Sequence, residues 1–205
     1  MDLSRIALCV PGDINLLIDK ELAGDSEQTL ISLINGFSEM CQQKDAMNRS
    51  LEKKQYSEFY DGGVRVLVVK APPITNDDNF EVWEDTSRVF DYPVVPLVKY
   101  TDYTLVDNGE SGVIKRLNGA FTEGSHVIKI VYVGGLVLNT TTGIDVPADL
   151  RQAAAMQVAY WWKNRDQLGV QSLSMASGTV SFPSPSSWLD IVKKTVMNYR
   201  HFRSF

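Results

Sequence analysis

The sequence predicts an α+β fold. A helical bundle, built from N-terminal helices and a long C-terminal helix, carries an inserted antiparallel β region and ends in a C-terminal docking arm. Three observations predict it. Apolar residues recur at helical spacing before residue 50 and again over 146–168. Between them, residues 51–135 break into short runs rich in β-branched and aromatic side chains, separated by turn residues. Strands and helices do not alternate and no repeat occurs, which argues against a parallel doubly wound sheet.

The first helix follows Asp13, a candidate N-cap, with Ile14, Leu17, Ile18 and Leu22 as its apolar face. Ala23-Gly24-Asp25-Ser26 interrupts it, and Asp25 or Ser26 is placed to cap the next helix. There Leu30, Leu33, Ile34, Phe37, Met40 and Cys41 trace one buried face, fading near Asn48.

In the β region, a strand over 55–60 meets the tight-turn signal Asp61-Gly62-Gly63. The strand over 64–70 is broken by Pro72-Pro73, since proline lacks a ladder donor. Short strands are expected at 80–83 and 88–92, and a hairpin joins 103–106 to 113–117 across the Asp107–Gly112 turn. The strongest strand signal covers 127–133 and ends in Gly134-Gly135.

The long helix begins at Val146-Pro147-Ala148-Asp149. Proline suits a first helical position, and an acid in the first turn complements the helix dipole. Leu150, Ala153, Ala154, Val158 and Trp161 form its stripe, and Gly169 is a plausible stop. Trp161 fits that stripe, which leaves Trp162 either at its edge or in a contact with another subunit. Residues 169–187 are rich in Ser, Gly and Pro and nearly uncharged, an extended or mobile linker. A final helix starts at Ser187, with Trp188, Ile191, Val192, Val196 and Tyr199 on its apolar face and Lys193, Lys194, Arg200 and Arg203 on a basic flank. Trp188 either folds back on its own domain or docks on a partner.

The 205 residues, 44% of them hydrophobic, suffice for a real core. No apolar run approaches the roughly 18–20 residues that span a bilayer. With Pro11, Gly12 and Asp13 interrupting the N-terminal region, no signal peptide is read, and the chain is expected to be soluble and made in the cytosol. Net charge is −5, which argues against a general nucleic-acid binder. Residues 1–48 carry eight acids against three bases, and residues 136–205 carry four acids against seven bases. This contrast is either surface scatter or two complementary ends. Cys9 and Cys41 lack metal-ligand spacing, and Cys41 reads as a buried free thiol.

No catalytic constellation emerges. His126 stands at a strand entrance and His201 in a frayed C-terminus, neither in a recognisable nucleophile setting. Gly134-Gly135 lacks the lysine of a phosphate loop. Asp77-Asp78 and Glu84-Asp85 sit in turns as solvated carboxylates without metal-loop spacing. No catalytic residue, metal or cofactor is therefore assigned.

Taken in order, several segments resemble the head-to-tail connector (adaptor, head-completion) proteins of tailed bacteriophages. Tyr60-Asp61-Gly62-Gly63, Val66-Leu67-Val68-Val69 and Pro72-Pro73-Ile74 are similar to the family's turn, strand and Pro-Ile break. Tyr103-Thr104-Leu105 through Gly112-Val113-Ile114-Lys115-Arg116 resembles its next hairpin. The run from Val127 through Tyr132-Val133-Gly134-Gly135 resembles its strand ending in Tyr-x-Gly. Val146-Pro147-Ala148-Asp149-Leu150-Arg151-Gln152-Ala153 matches the Val-Pro-x-Asp-Leu-x-x-Ala helix start, Arg165 falls near the helix-end arginine, and Met197-Asn198-Tyr199-Arg200 is similar to the Tyr-Arg ending.

The resemblance implies a non-enzymatic structural virion protein at the head–tail junction, made in the host cytoplasm. It would form a dodecameric homo-oligomeric ring that binds the portal, joins a stopper or tail-completion protein, and surrounds double-stranded DNA during genome ejection. That DNA would pass without sequence-specific binding, and no membrane is involved. Residues 1–168 would form the connector domain (1–50 helical, 51–135 the inserted β region, 146–168 the long helix), and 169–205 the linker and portal-docking arm. Trp188, Ile191, Val192, Lys193, Lys194, Tyr199 and Arg200 are the expected portal contacts, and Trp162 and Arg165 the subunit-interface candidates. Two rivals stand beside it. One is a carbohydrate-binding or hydrolytic module whose Trp83, Tyr92, Tyr100 and Tyr103 line a sugar platform. The other is a neighbouring stopper or tail-completion protein.

Overall fold

A computed structural model describes residues 2–75, 79–91, 93–140, 143–165, 172–175, 178–181 and 187–201. The chain is mixed α+β, with four helices and antiparallel strand pairings among the described residues. It divides into two compact units, Met1–Asn48 with Asn139–Arg200, and Arg49–Leu138 with His201–Phe205.

In the first unit, α1 (Pro11–Ile18) begins one turn earlier than Asp13 as N-cap would require. Val10 is the N-cap, and Asp13, at the third helical position, accepts the Val10 backbone N–H at 3.0 Å. The physical reason is Pro11, whose missing N–H is harmless in a first turn. Helix α2 (Asp25–Gln42) starts at Asp25 itself, with Gly24 as its cap, and ends well before Asn48. It buries Leu30, Ile31, Ile34, Phe37, Ser38 and Cys41. Helix α3 (Ala148–Lys163) has Pro147 as its N-cap, its carbonyl accepting the Arg151 N–H at 2.9 Å. Helix α4 (Asp190–Asn198) starts three residues later than Ser187 and buries Val192 and Val196. The expected linker over 169–187 contains an antiparallel strand pair, β8 (Ser172–Met175) with β9 (Gly178–Ser181); its other residues up to 186 lie outside the described ones. No helix among the described residues is long and apolar enough to cross a membrane.

The second unit is built around β7 (Ile128–Gly134), whose alternating burial puts Ile128, Ile130, Tyr132 and Gly134 inside. β1 (Lys54–Tyr60) pairs with it along one edge, while β3 (Ile74–Thr75) and β4 (Glu81–Glu84) share the other. The Asp61-Gly62-Gly63 turn therefore does not close a hairpin. The chain leaves it for a second sheet, where β6 (Val113–Arg116) lies between β2 (Val66–Val68) and β5 (Tyr103–Leu105). The core gathers Leu67, Val69, Ile114, Phe121, Ile130 and Tyr132. At the end of β7 the backbone runs so close to its neighbours that a Cβ on Gly134 would lie 2.2 Å from the Ala71 carbonyl oxygen. Gly135, at φ +116°, is closed to side chains on both conformational and steric grounds.

The strand expected over 88–92 is a loop at residues 88–91, and Tyr92 lies outside the described residues. Arg88 and Phe90 have positive φ, and the Asp85 carboxylate organises the segment by accepting the N–H groups of Ser87 (2.8 Å), Val89 (2.9 Å) and Phe90 (2.9 Å), plus the Ser87 hydroxyl. Local carboxylate bonds to the backbone have outcompeted the sheet ladder. The Ser87 hydroxyl, then the backbone donors, hold the Asp85 carboxyl down at about 2. A pKa lower in the folded chain than in the unfolded one gives stability that is present above pH ~4 and lost as pH falls toward ~2. Asp85→Asn turns an amide NH2 toward backbone donors. It is expected to lower the melting temperature at neutral pH and to flatten its fall between pH 4 and 2, read from thermal melts across that range.

Candidate functional site

The described side chains form no metal-binding cluster of His, Cys, Asp and Glu. Glu84 accepts the Thr122 N–H at 3.2 Å and pairs with Arg116 at 3.4 Å, Asp85 holds its loop, and Asp77 and Asp78 lie outside the described residues. His126 does have a serine and a carboxylate beside it, which the sequence pattern did not reveal. Ser125 Oγ donates to Asp61 Oδ1 at 2.9 Å and lies 3.1 Å from His126 Nδ1, and Asp61 Oδ1 also accepts the His126 backbone N–H at 2.8 Å. These bonds hold the Asp61 carboxyl below its ordinary value, the His126 N–H contributing most. With its proton committed to Asp61, the Ser125 hydroxyl faces the imidazole as an acceptor, so the trio ties two exposed turns together. His201 is not frayed. It is buried in the second unit, its Nε2 3.1 Å from the Val69 carbonyl oxygen.

The expected sugar platform is dispersed. Tyr103 is buried beside Phe80, Trp83 Nε1 donates to Glu81 at 3.1 Å, Tyr100 is exposed under the Lys99 ammonium, and Tyr92 lies outside the described residues.

The helical unit holds the more informative surfaces. Arg151 and Asp13 form a two-point pair, Nε to Oδ2 and Nη2 to Oδ1, each at 2.8 Å, which fixes the start of α1 on the first turn of α3. Asp13 thus serves its own helix and a second one. Asp13→Ala is expected to lower stability by about 1–2 kcal/mol, the half-exposed arginine keeping the loss below that of a buried pair. A urea midpoint that moves for Asp13→Ala but hardly for Asp13→Asn would show capping alone to matter.

On the other side of α3, the buried Gln157 amide donates to the Ser187 carbonyl at 3.1 Å, and its oxygen accepts the Leu189 N–H at 2.8 Å. This amide satisfies the backbone entering α4. Tyr199 donates to Asp149 at 2.6 Å, joining the Val-Pro-x-Asp-Leu and Tyr-Arg segments. Phe37 of α2 packs between Trp161 (5.6 Å, edge-on) and Trp188 (5.1 Å, tilted).

Both tryptophans pack within their own unit: Trp161 is half-buried against Phe37, and Trp162, at the edge of the stripe, is the more buried at 7% exposure. The Arg165 guanidinium lies 4.2 Å from the Trp162 ring centroid while donating to its carbonyl oxygen. The α3 face against α1 extends further round the helix than the stripe through Trp161. Trp162 is thus spent on its own unit, and Arg165 is the exposed member of that pair.

The expected docking set divides likewise. Val192 is fully buried, Trp188 packs on Phe37, Tyr199 binds Asp149, and Arg200 reaches the Lys44 carbonyl at 3.4 Å, whereas Ile191, Lys193 and Lys194 are exposed. The terminal helix therefore finds its apolar cover within its own unit. A groove of about 550 Å³ opens beside it, lined by Met40, Ala46, Trp188, Lys193 and Met197 among others. The sequence missed Arg151 and Gln157. Gln157 left a signal, as a polar residue on the apolar side of a helix.

No family model matches the chain, and no curated protein matches it in sequence. Among solved structures, a chain described as "Neck of empty GTA particle computed with C6 symmetry" is similar with a TM-score of 0.56 at 14% identity, over 100% of this chain and 95% of that one. A chain described as "Neck of native GTA particle computed with C12 symmetry" gives a TM-score of 0.51 at 13% identity, over 100% of this chain and 98% of that one. GTA denotes the phage-like gene transfer agent. The likeness spans the whole length of the chain, and what it establishes is a shared fold with neck components of phage-like particles.

Proposed function

We propose that this chain is a structural neck protein of a phage-like particle, a ring-forming connector between the portal and a stopper or tail component, surrounding the DNA exit channel. The observation that carries the reading is the full-length likeness to neck chains from particles of C6 and C12 symmetry. The ordered connector-like segments in the sequence support it independently. In this reading the chain does its work by shape and contact rather than by chemistry, and the virion is its place of action.

Portal docking is assigned to the outward face of α4, where Ile191 is 59% exposed and Lys194 is exposed beside it. The contact set is thus narrower than the helix as a whole, because Val192 and Val196 are already buried. The test is co-purification of the chain with the portal protein of the same particle, followed by electron microscopy. A ring seated on the portal is expected, and its loss in the double variant Ile191→Asp, Lys194→Glu, with an unchanged melting temperature. A chain that stays monomeric and never joins portal or particle would overturn the reading.

A further inference from the structure

The chain contains three Asn-Gly dipeptides, Asn35-Gly36, Asn108-Gly109 and Asn118-Gly119. In this pairing an asparagine side chain is most open to attack by its own main chain. Glycine has no side chain to shield its nitrogen, and its backbone turns freely. Asparagine is also among the thermolabile residues. For the reaction to start, the amide carbon of the side chain must meet the following backbone nitrogen. Both the side chain and the glycine therefore have to be free to move, and the fold treats the three dipeptides differently.

Asn35 is held at both ends of its amide. Its Oδ1 accepts the Ser4 N–H at 2.9 Å, and its Nδ2 donates to the Asp2 carbonyl at 3.1 Å. Gly36 lies within α2, where the helical ladder engages its N–H. The Asn108 pair is packed. Gly109 is buried, and a Cβ on it would lie 2.8 Å from the Ile74 carbonyl oxygen. Bonds close the turn on either side, from the Glu110 N–H to the Asp107 carbonyl and from the Gly112 N–H to the Gly109 carbonyl, each at 3.1 Å. Asn118 and Gly119 are exposed, and neither hydrogen-bonds to a described residue. Their turn is fastened at its ends, where the Leu117 N–H donates to the Asp102 carbonyl at 2.9 Å and the Phe121 N–H to the Val64 carbonyl at 2.8 Å. Between those bonds Gly119, at φ +72°, has open space where a Cβ would stand.

We propose that Asn118, alone of the three, is a site of spontaneous deamidation in the folded chain. The Gly119 nitrogen attacks the Asn118 side-chain amide carbon. A C–N bond forms to it, the bond to the side-chain nitrogen breaks, and that nitrogen leaves as ammonia with the proton released from the Gly119 N–H. Water then opens the resulting five-membered imide. Cleavage between the ring nitrogen and the side-chain carbonyl gives aspartate, and cleavage between the ring nitrogen and the main-chain carbonyl gives isoaspartate. The sum consumes one water and releases one ammonia, with no other reactant. An exposed turn of the β unit thereby gains one negative charge, and in the iso form its main chain lengthens by one carbon. The fold accommodates the change, because Asn118 gives up no bond to a described residue. Nothing in this step depends on what the chain assembles with.

Peptide mapping by mass spectrometry tests it on the full wild-type chain. The folded protein is kept in warm, mildly alkaline buffer and sampled over time, beside the same chain unfolded in guanidinium chloride. When folded, the peptide bearing Asn118 is expected to gain the mass of amide-to-acid exchange at least about tenfold faster than those bearing Asn35 and Asn108, which react only through local opening. It should separate into aspartate and isoaspartate forms, and in guanidinium all three peptides should react at similar rates. On isoelectric focusing the folded wild type should acquire an acidic form that Asn118→Gln does not. Asn118→Asp, which carries the aspartate product, is expected to melt as the wild type does. A folded chain that keeps the Asn118 amide while the unfolded chain loses it would overturn the proposal, as would Asn35 or Asn108 reacting equally fast. A melting temperature lowered by several degrees in Asn118→Asp would show that the turn does not accommodate the charge.

Discussion

Replacing Glu58 by alanine is expected to destabilise the β unit by about 3 kcal/mol or more, since hydrogen bonds to a charged group are worth about 1.5–3 kcal/mol each. Glu58 is 7% exposed, and its carboxylate accepts the Tyr132 hydroxyl at 2.9 Å, the Tyr60 hydroxyl, and the Lys70 N–H at 3.3 Å. The Tyr132 oxygen in turn accepts the Ala71 N–H at 3.1 Å. The network thus fastens the centre of β7 to β1 and to the chain after β2. Losing the carboxylate would leave the fully buried Tyr132 phenol without its acceptor, which costs more than the bond itself contributes. Burial first, and then the Glu58 charge, push the Tyr132 phenol well above its ordinary value of 10.0, so it stays a donor at physiological pH. A pKa raised on folding gives stability that is complete below pH ~10 and lost as pH rises beyond it. Tyr132→Phe should therefore be less stable at neutral pH yet lose less on going to alkaline pH. Urea midpoints at pH 7 and above pH 10 measure both effects. A Glu58→Ala midpoint within experimental error of the wild type would show the network to be ornamental.

Phe37→Ala is the second large effect, an expected loss of about 3–5 kcal/mol in the helical unit. Phe37 is fully buried, and its ring supports both Trp161 and Trp188. Truncation removes the transfer free energy of the ring and leaves a cavity that two indoles cannot fill without leaving their rotamers. Tryptophan fluorescence should shift to the red as those indoles gain water, together with a melting temperature lowered by several degrees. Leu16→Ala, at an 85% exposed position, is the matched control and should melt as the wild type does. A variant that melts normally with unchanged fluorescence would mean that α4 reaches stability without α2. That outcome would also remove the rigid wall on which the groove depends.

Local pattern alone located several parts of the molecule. The apolar spacing of Leu30, Ile34, Phe37 and Cys41 predicts a helix with that face inward, and all four side chains are buried. The alternation through Ile128, Ile130 and Tyr132 predicts a strand, and the chain there is the central strand of its sheet. The hairpin across Asp107–Gly112 follows from its turn residues. These features were legible because the direction of each Cβ is set by the local backbone, so period and turn chemistry are written in consecutive residues.

The tertiary structure alone decided the rest. Whether Trp161 or Trp162 is buried depends on how far α1 and α2 wrap around α3, which no spacing within α3 records. His201 reads as a frayed end until Val69, 132 positions earlier, supplies a carbonyl. Asp85 reads as a solvated turn acid until three backbone N–H groups converge on it. The Asp13–Arg151 pair spans 138 positions, and the groove beside α4 forms only once α2 and α4 are packed together. Sequence by itself determined most of the elements, the broad α+β class and the ordered segments that resemble connectors, but not the loop at 88–91 or the strand pair within 172–181. The partners of buried polar groups, and the surfaces left open after packing, required the folded chain, because satisfaction and exposure depend on residues far apart in sequence.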